Sequence, residues 1–126
     1  KIATKGSEFN PAFCPVESGI DLMAGKWKGR IMWKLHHYQG TMRFGELRRA
    51  LGNITDRMLS QQLRELESVQ IIERKVYSEV PPKVEYSLTE FGKSMCPILD
   101  KFAEWGLANA DEVEAVVRNQ NGSDRN

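Results

Sequence analysis

Four polar side chains in the middle of the chain have the reach and the hydrogen-bonding groups needed to contact DNA bases. They are Arg57, Ser60, Gln61 and Arg64, whose spacing of three and four residues places them on one side of a helix. Arg donates a fork of hydrogen bonds to guanine O6 and N7, and Gln makes a similar two-bond pair with adenine. Because most protein–DNA hydrogen bonds go to the backbone, contact with phosphate or water is the alternative for each residue.

Other basic residues on both sides of this set are candidates for phosphate or minor-groove contact. Arg43 and Arg48 are phosphate candidates, and Arg74, Lys75 and Lys83 could reach phosphates or the minor groove. Each has a solvated surface charge as its alternative, since exposed charges contribute little by themselves. Thr55 and Asp56 come just before Arg57, where a short oxygen side chain can accept from free backbone N–H groups at a helix start. Capping is the favoured interpretation of these two residues, with DNA contact as the alternative.

The elements around these candidates predict a helix-turn-helix. Residues 53–69 have Leu59, Leu63 and Leu66 at helical spacing, opposite the polar set. A shorter helix opens near Arg43 and ends before a tight turn at Gly52. Two short helices joined by about four residues, the second with a polar outer face, are typical of this motif.

A β-hairpin is predicted directly after the second helix of the motif. Residues 71–77 are β-branched and partly alternating, and residues 84–88 alternate again. The turn between them contains Pro81 and Pro82, which cannot donate to a ladder and so mark its tip or edge. The predicted fold is therefore α+β, mainly α: a winged helix-turn-helix with a two-stranded β-wing and terminal helices.

Helices are also predicted on both sides of this centre. Pro15 suits the first position of a short helix over residues 16–24. Residues 26–38 form a second helix, and its apolar face consists of Trp27, Ile31, Leu35 and Tyr38, with Met32 beside them. One long last helix follows Thr89, a good N-cap, with Met95, Leu99 and Phe102 on one side. We predict a flexible arm over residues 1–13, one domain over 14–106, and a helix end with a disordered tail over 107–126.

Composition and charge limit the classes of function. The hydrophobic fraction of 40% and the charged fraction of 28% are typical of a soluble globular protein. No apolar run approaches the roughly 20 residues that span a bilayer, and the first residues lack a signal segment, so a cytoplasmic location is expected. Residues 26–86 hold 12 Lys and Arg against 7 Asp and Glu. This basic middle favours a phosphate-rich partner, although chance is an alternative because the excess is modest.

Metal binding and catalysis have no positive signal in the sequence. His36 and His37 are adjacent and point to different sides of a helix, whereas helical metal ligands need a spacing of three or four residues. We find no phosphate-cradling glycine loop and no GxSxG motif. We therefore expect no metal, no cofactor and no enzyme activity.

Several separate motifs, in order, resemble the HxlR family of bacterial, MarR-like transcription regulators. They are Cys14-Pro15, Gly25-Lys26-Trp27, the segment 43–48 (RFGELR), the segment 58–66 (MLSQQLREL) and the segment 79–89 (EVPPKVEYSLT). The resemblance covers about residues 14–106. It implies a homodimer, held mainly by the first and last helices, that binds a pseudo-palindromic operator in double-stranded DNA.

The same resemblance raises Cys14 as a redox candidate. Some members of the family look like thiol sensors that use a cysteine just before Pro in this position. A helix start favours the reactive thiolate form, and oxidation would link Cys14 across the dimer or modify it. The alternative is a small interface residue. Cys96 is expected in the core, with a resolving partner as its alternative.

Two other functions stay open from the sequence. A winged helix can serve as a protein-interaction module without DNA, because fold does not fix function. A regulator gated by a small molecule is the second, since Trp27, Trp33 and Trp105 could line a pocket, although large aromatic residues mostly build cores. The effector, if there is one, stays unknown, as do the operator sequence and the sign of regulation.

Overall fold

The computed structural model describes residues 12–38 and 40–124. The predicted flexible arm lies outside the described residues, except for Ala12 and Phe13. The chain forms two compact units, one ending at Ser94 and one beginning at Met95. The predicted domain of residues 14–106 therefore includes parts of both units, and its boundaries stay a prediction.

The first unit opens with two helices, as predicted. Helix α1 spans Pro15–Met23, and helix α2 spans Lys28–Tyr38. Between them Gly25 has a φ of 96°, a left-handed conformation that glycine adopts without steric cost. Three apolar residues of α2 are fully buried, namely Ile31, Met32 and Leu35. Tyr38 was also predicted on the apolar face, but it lies at the C-terminal end of α2 and is 62% exposed.

The helix-turn-helix is confirmed. Helix α3 spans Phe44–Leu51 and helix α4 spans Asp56–Ser68. Gly52, with a φ of 88°, ends α3, and the connection buries Ile54. Both helices are amphipathic, and each buries its leucines: Leu47 and Leu51 from α3, and Leu59, Leu63 and Leu66 from α4. This burial leaves the polar side of α4 facing outward.

The wing is confirmed as a two-stranded antiparallel sheet. Strand β1 spans Ile72–Tyr77 and pairs with strand β2, Lys83–Leu88. Met42 adds an isolated bridge to Tyr86, with backbone N···O distances of 2.9 and 2.8 Å. Ile72 and Leu88, paired across the strands, bury the base of the wing.

A short helix, α5, spans Glu90–Lys93 and completes the first unit. Thr89 caps it: its hydroxyl accepts from the Gly92 N–H at 2.9 Å and donates to the Gln70 carbonyl at 2.6 Å. Gly92 packs directly on the base of the wing, because a Cβ added there would lie 2.2 Å from the Ile71 carbonyl oxygen. The α5 segment is thus held against the entrance to β1.

The second unit consists of helix α6, Cys96–Ala108, and helix α7, Ala110–Asp124. The prediction of one long last helix is wrong because Pro97 has no N–H to continue α5 and instead lies in the first turn of α6. The predicted disordered tail is also corrected, since α7 continues to Asp124. Asp111 and Glu112 in its first turn complement the helix dipole and favour this extension. The last two residues lie outside the described part.

Candidate nucleic-acid interface

The outer side of α4 presents the predicted base-contacting residues together. Arg57, Gln61 and Arg64 are exposed, and Ser60 is half-buried. Spacings of four and three residues align the three exposed side chains along one side of the helix. Within the described residues, the Arg57 side chain makes no hydrogen bond or ion pair. Its five N–H donors are therefore available to a partner.

Thr55 caps the start of α4 as predicted, but the capping predicted for Asp56 is wrong, because Asp56 is the first residue of the helix itself. Thr55 has extended backbone geometry, and its hydroxyl accepts from the Met58 N–H at 3.1 Å. Asp56 instead pairs with Arg48 of α3, with 3.1 Å between Arg48 Nε and a carboxylate oxygen. The cap satisfies a backbone donor, and the ion pair joins the two helices of the motif. The side chain of Arg48 is half-exposed beside the start of α4.

Arg43 immediately precedes α3, at the N-cap of that helix. Its backbone N–H donates to Glu46 Oε1 at 2.7 Å, and the side chain is exposed. The backbone contact fixes where the helix begins. The guanidinium is left at the surface, in a position suited to a phosphate oxygen.

A cleft of about 320 Å³ lies between α4 and the wing. Its lining includes Ser60 and Arg64 from the helix and Arg74 and Tyr86 from the wing. Burial raises the pKa of the Tyr86 phenol, so the hydroxyl is a neutral hydrogen-bonding group there. Arg74 also lies 3.7 Å from a Glu67 carboxylate oxygen. The fold therefore brings Arg64 and Arg74, which are ten positions apart in sequence, to the same cleft. Tyr86 also lines the cleft, and the sequence patterns did not reveal this position.

The wing holds its two lysines around one aromatic ring. Lys75 lies 5.3 Å and Lys83 lies 4.9 Å from the centre of the Tyr77 ring. Lys83 also pairs with Glu85 at 3.3 Å. Partial burial acts to raise the pKa of the Glu85 carboxyl, but hydrogen bonds from Tyr77 and Lys83 outweigh it and lower the pKa. Tyr77 was not singled out from the sequence, although alternation along β1 could have indicated it.

A second feature that the sequence patterns did not reveal lies behind the outer side of α4. Gln61 Nε2 donates to Glu65 Oε2 at 3.2 Å, and Lys28 of α2 donates to Glu65 Oε1 at 2.5 Å. The hydrogen bond from Lys28 is the largest reason that the pKa of Glu65 lies below its usual value. The four-residue spacing of Gln61 and Glu65 was visible in the sequence, whereas the contact with Lys28 was not.

The redox candidate lies at the start of α1. Cys14 is an exposed free thiol at the N-cap, and its Sγ accepts from the Glu17 N–H at 3.4 Å. The Cys96 side chain is buried, in agreement with its predicted place in the core. The described residues contain no group of three His, Cys, Asp or Glu side chains that could hold a metal ion. Over residues 12–38 and 40–124, no helix combines the length and apolar character needed to cross a membrane.

Comparison with known proteins decides the family. The model of the HxlR-like helix-turn-helix family matches residues 22–114. The chain belongs to this family. The HTH-type transcriptional regulator YybR of Bacillus subtilis is 50% identical over 110 residues, which are 87% of this chain and 86% of YybR. The protein is thus a helix-turn-helix transcriptional regulator, as the sequence motifs predicted.

Solved structures of similar proteins support the same winged-helix fold. The redox regulator HypR in its reduced form is 50% identical, with a TM-score of 0.75 over 81% of this chain and 99% of that chain. HypR in its oxidised form is 52% identical over its aligned part, with a TM-score of 0.71 over 76% of this chain and 97% of that chain. The reduced form of the regulator YodB from B. subtilis is 36% identical, with a TM-score of 0.65 over 75% of this chain and 91% of YodB.

Proposed function

We propose that this regulator binds a pseudo-palindromic operator as a homodimer, with α4 of each protomer in the major groove. The observation that carries the proposal is the outer side of α4, where Arg57, Gln61 and Arg64 are aligned and exposed. In this arrangement Arg57 and Gln61 contact base edges. Outside this side of α4, Arg43 and Arg48 contact phosphates, and Arg74, Lys75 and Lys83 contact phosphates or the minor groove.

Exposed apolar residues support the homodimer. On α6, Ile98 is 49% exposed, and Phe102 and Trp105 are each 60% exposed. Their spacing of four and three residues places them on one side of that helix. A second copy would remove this surface from water. A two-fold axis would then place two α4 helices in successive major grooves, roughly 34 Å apart.

Cys14 is the proposed redox element of this regulator. Its thiol is exposed at the N-cap of α1. Two Cys14 thiols, one from each protomer, would form one disulfide, release two protons and pass two electrons to an oxidant such as a peroxide. The similarity to a redox regulator supports this proposal. Disulfide formation would remove a capping sulfur from α1 and constrain the two helices, changing the spacing of the DNA-reading elements.

The test of the binding proposal is fluorescence anisotropy with duplex DNA from immediately upstream of the gene for this chain. We expect binding that exceeds that of a scrambled duplex by about 10³-fold or more and that weakens steeply with salt, since phosphate contacts release counterions. Equal and weak binding to both duplexes would contradict an operator in that DNA. A selection from a random duplex library then decides whether any sequence is preferred; if none is, the proposal fails.

The test of the redox proposal compares two cysteine variants in the same assay, with and without a thiol oxidant. Cys14→Ser retains a good N-cap side chain, so α1 is preserved while the thiol is removed. Cys96→Ala is the matched control because it removes the buried thiol. Oxidant should change the DNA binding of the parent and of Cys96→Ala, but not that of Cys14→Ser. An unchanged response in Cys14→Ser would exclude this role.

A further inference from the structure

We propose that Lys28 and Glu65 are positioning residues that orient the Gln61 amide so that it reads an adenine in each half-site. The proposal rests on the proposed function, because it requires the outer side of α4 to enter the major groove. It goes further by assigning a base and by adding two residues that do not themselves contact it. Three side chains from two helices carry it.

These side chains form a continuous chain of hydrogen bonds from α2 to the outer side of α4. Lys28 donates to Glu65 Oε1 at 2.5 Å and to Gln62 Oε1 at 3.1 Å. The side chain of Lys28 is only 16% exposed, so its position is set by packing as well as by charge. Glu65 uses its other oxygen, Oε2, to accept from Gln61 Nε2 at 3.2 Å. Each carboxylate oxygen thus has a separate donor.

The chemistry of Glu65 decides which end of the Gln61 amide faces it. An ionised carboxylate only accepts hydrogen bonds, so the amide must turn its nitrogen, not its oxygen, toward Glu65. Glu65 is ionised at neutral pH, since its pKa lies below the usual 4.5. The Lys28 hydrogen bond to Oε1 holds this carboxylate in place, with Oε2 toward Gln61. Without this constraint an amide can rotate and exchange its two ends. The ion pair with Lys28 therefore fixes one orientation of Gln61.

That orientation leaves a defined pair of groups for a base. One N–H of Gln61 is used by Glu65, and the second N–H and the carbonyl oxygen Oε1 remain. In the major groove, adenine presents an acceptor, N7, beside a donor, the N6 amino group. Guanine presents two acceptors, and so cannot match one donor and one acceptor. Because the Gln61 amide is already oriented in the free protein, it matches adenine without further ordering, which reduces the entropic cost of binding.

The test measures base preference with Lys28→Met, which keeps the length and apolar stem of the side chain but removes the ammonium group. Every base pair of the selected operator is substituted in turn, and affinity is measured for the parent and the variant. Gln61→Ala first identifies the position that this residue reads. The parent should prefer adenine there by about 5- to 150-fold, the range of a good two-bond pair. Lys28→Met should lower that preference at least threefold at this position only.

Lys34→Met is the matched control, because it removes the same charge from the same helix. Within the described residues, Lys34 has no ion pair, and we expect its replacement to leave the preference unchanged. Lys28→Arg should restore the preference, since a guanidinium can also donate to Glu65. If Lys28 were only a phosphate contact, its removal would weaken all sequences equally and reduce the salt slope by about one for each half-site. That result would overturn the proposal.

Glu65→Gln provides an independent test, because it removes a negative charge whereas Lys28→Met removes a positive one. The neutral side chain can both donate and accept, so it no longer dictates the orientation of Gln61. Removal of a negative charge should strengthen binding to scrambled DNA while the adenine preference falls. Equal preference in the parent and in Glu65→Gln would contradict the proposal. A parent that binds every sequence alike would instead contradict the proposed function.

The orientation of Gln61 can also be tested without DNA. The side-chain amide signals of Gln61 in ¹H–¹⁵N spectra of the free protein are assigned by their loss in Gln61→Ala. The amide proton that is hydrogen-bonded to Glu65 should exchange slowly with solvent. Lys28→Met should accelerate that exchange severalfold, and Lys34→Met should not. Fast exchange in the parent would show that Glu65 does not hold the amide.

Discussion

The outer side of α4 and the wing both carry basic side chains, but these side chains have different neighbours. On α4, the Arg57 side chain has no hydrogen bond or ion pair within the described residues, and Gln61 is held by a single neighbour. On the wing, Lys83 pairs with Glu85, and both wing lysines lie over the ring of Tyr77. Base reading requires donors that are both available and aligned, whereas phosphate contact requires only a cation in reach. We infer that α4 sets specificity and that the wing sets affinity.

Removal of the α4 side chains should have the largest effect on binding. Arg57→Ala with Gln61→Ala removes two candidate base contacts, each worth about 1–3 kcal/mol of discrimination. The operator should then bind only a little better than a scrambled duplex in the anisotropy assay. Arg118→Ala, which replaces an exposed arginine on α7, is the control and should retain discrimination. Retained specificity in the double variant would assign base reading to other residues.

The contact between α5 and the base of the wing should have the next largest effect, on the stability of the fold. Gly92→Ala should lower the free energy of unfolding by about 1–3 kcal/mol, since overpacking forces the backbone to move. The added Cβ would lie 2.2 Å from the Ile71 carbonyl oxygen, just before β1. Gly106→Ala is the matched control: its Cβ would meet nothing within 4 Å, and α6 should gain slightly in stability. Urea unfolding measures both. A Gly92→Ala protein as stable as the parent would mean that the backbone at Ile71 can move away at little cost in free energy.

The wing lysines should affect all sequences equally. Lys75→Ala with Lys83→Ala should weaken operator and scrambled DNA by the same factor and reduce the salt slope by about one for each phosphate that is no longer neutralised. Because Lys83 already pairs with Glu85, we expect the Lys83 contribution to be the smaller of the two. Anisotropy at several salt concentrations measures both slopes. A change confined to the operator would contradict the division between α4 and the wing.

The smallest effect concerns the pH dependence of Glu65. Its folded-state pKa lies below the usual 4.5, chiefly through the Lys28 hydrogen bond. A lowered carboxyl pKa contributes stability that is present above the unfolded-state value and is lost as pH falls through the folded-state value. Lys28→Met should move the Glu65 pKa back toward 4.5, as followed by carboxyl ¹³C shifts, while Lys34→Met leaves it unchanged. An equal pKa in the parent and Lys28→Met would show that the ion pair does not persist in solution.

Much of the fold followed from local patterns. Leu59, Leu63 and Leu66 recur at helical spacing, and all three are buried in α4. The alternation and prolines of residues 71–88 predicted the two-stranded wing. These predictions succeeded because periodicity reports which side of an element must leave water. The Thr55 cap was predicted on the same local basis, since its partner is only three residues away.

Predictions failed where a competing local rule or the end of an element mattered. The single last helix was wrong because Pro97 cannot continue the backbone ladder from α5. Tyr38 had the correct spacing for the apolar face, but it lies at the C-terminal end of α2 and is exposed. The tail prediction relied on polar composition, although a helix already started at Ala110 can propagate through polar residues at modest cost.

The sequence alone determined the elements, their amphipathic sides and the polar residues that α4 presents, because each depends on neighbours within about one helical turn. Tertiary structure decided which of those side chains contact other elements, and which residues they contact there. Lys28 and Glu65 are 37 positions apart, and Arg64 reaches the same cleft as Tyr86 only through the packing of the wing on α4. Such contacts join residues from different elements, and no periodicity within one element encodes them.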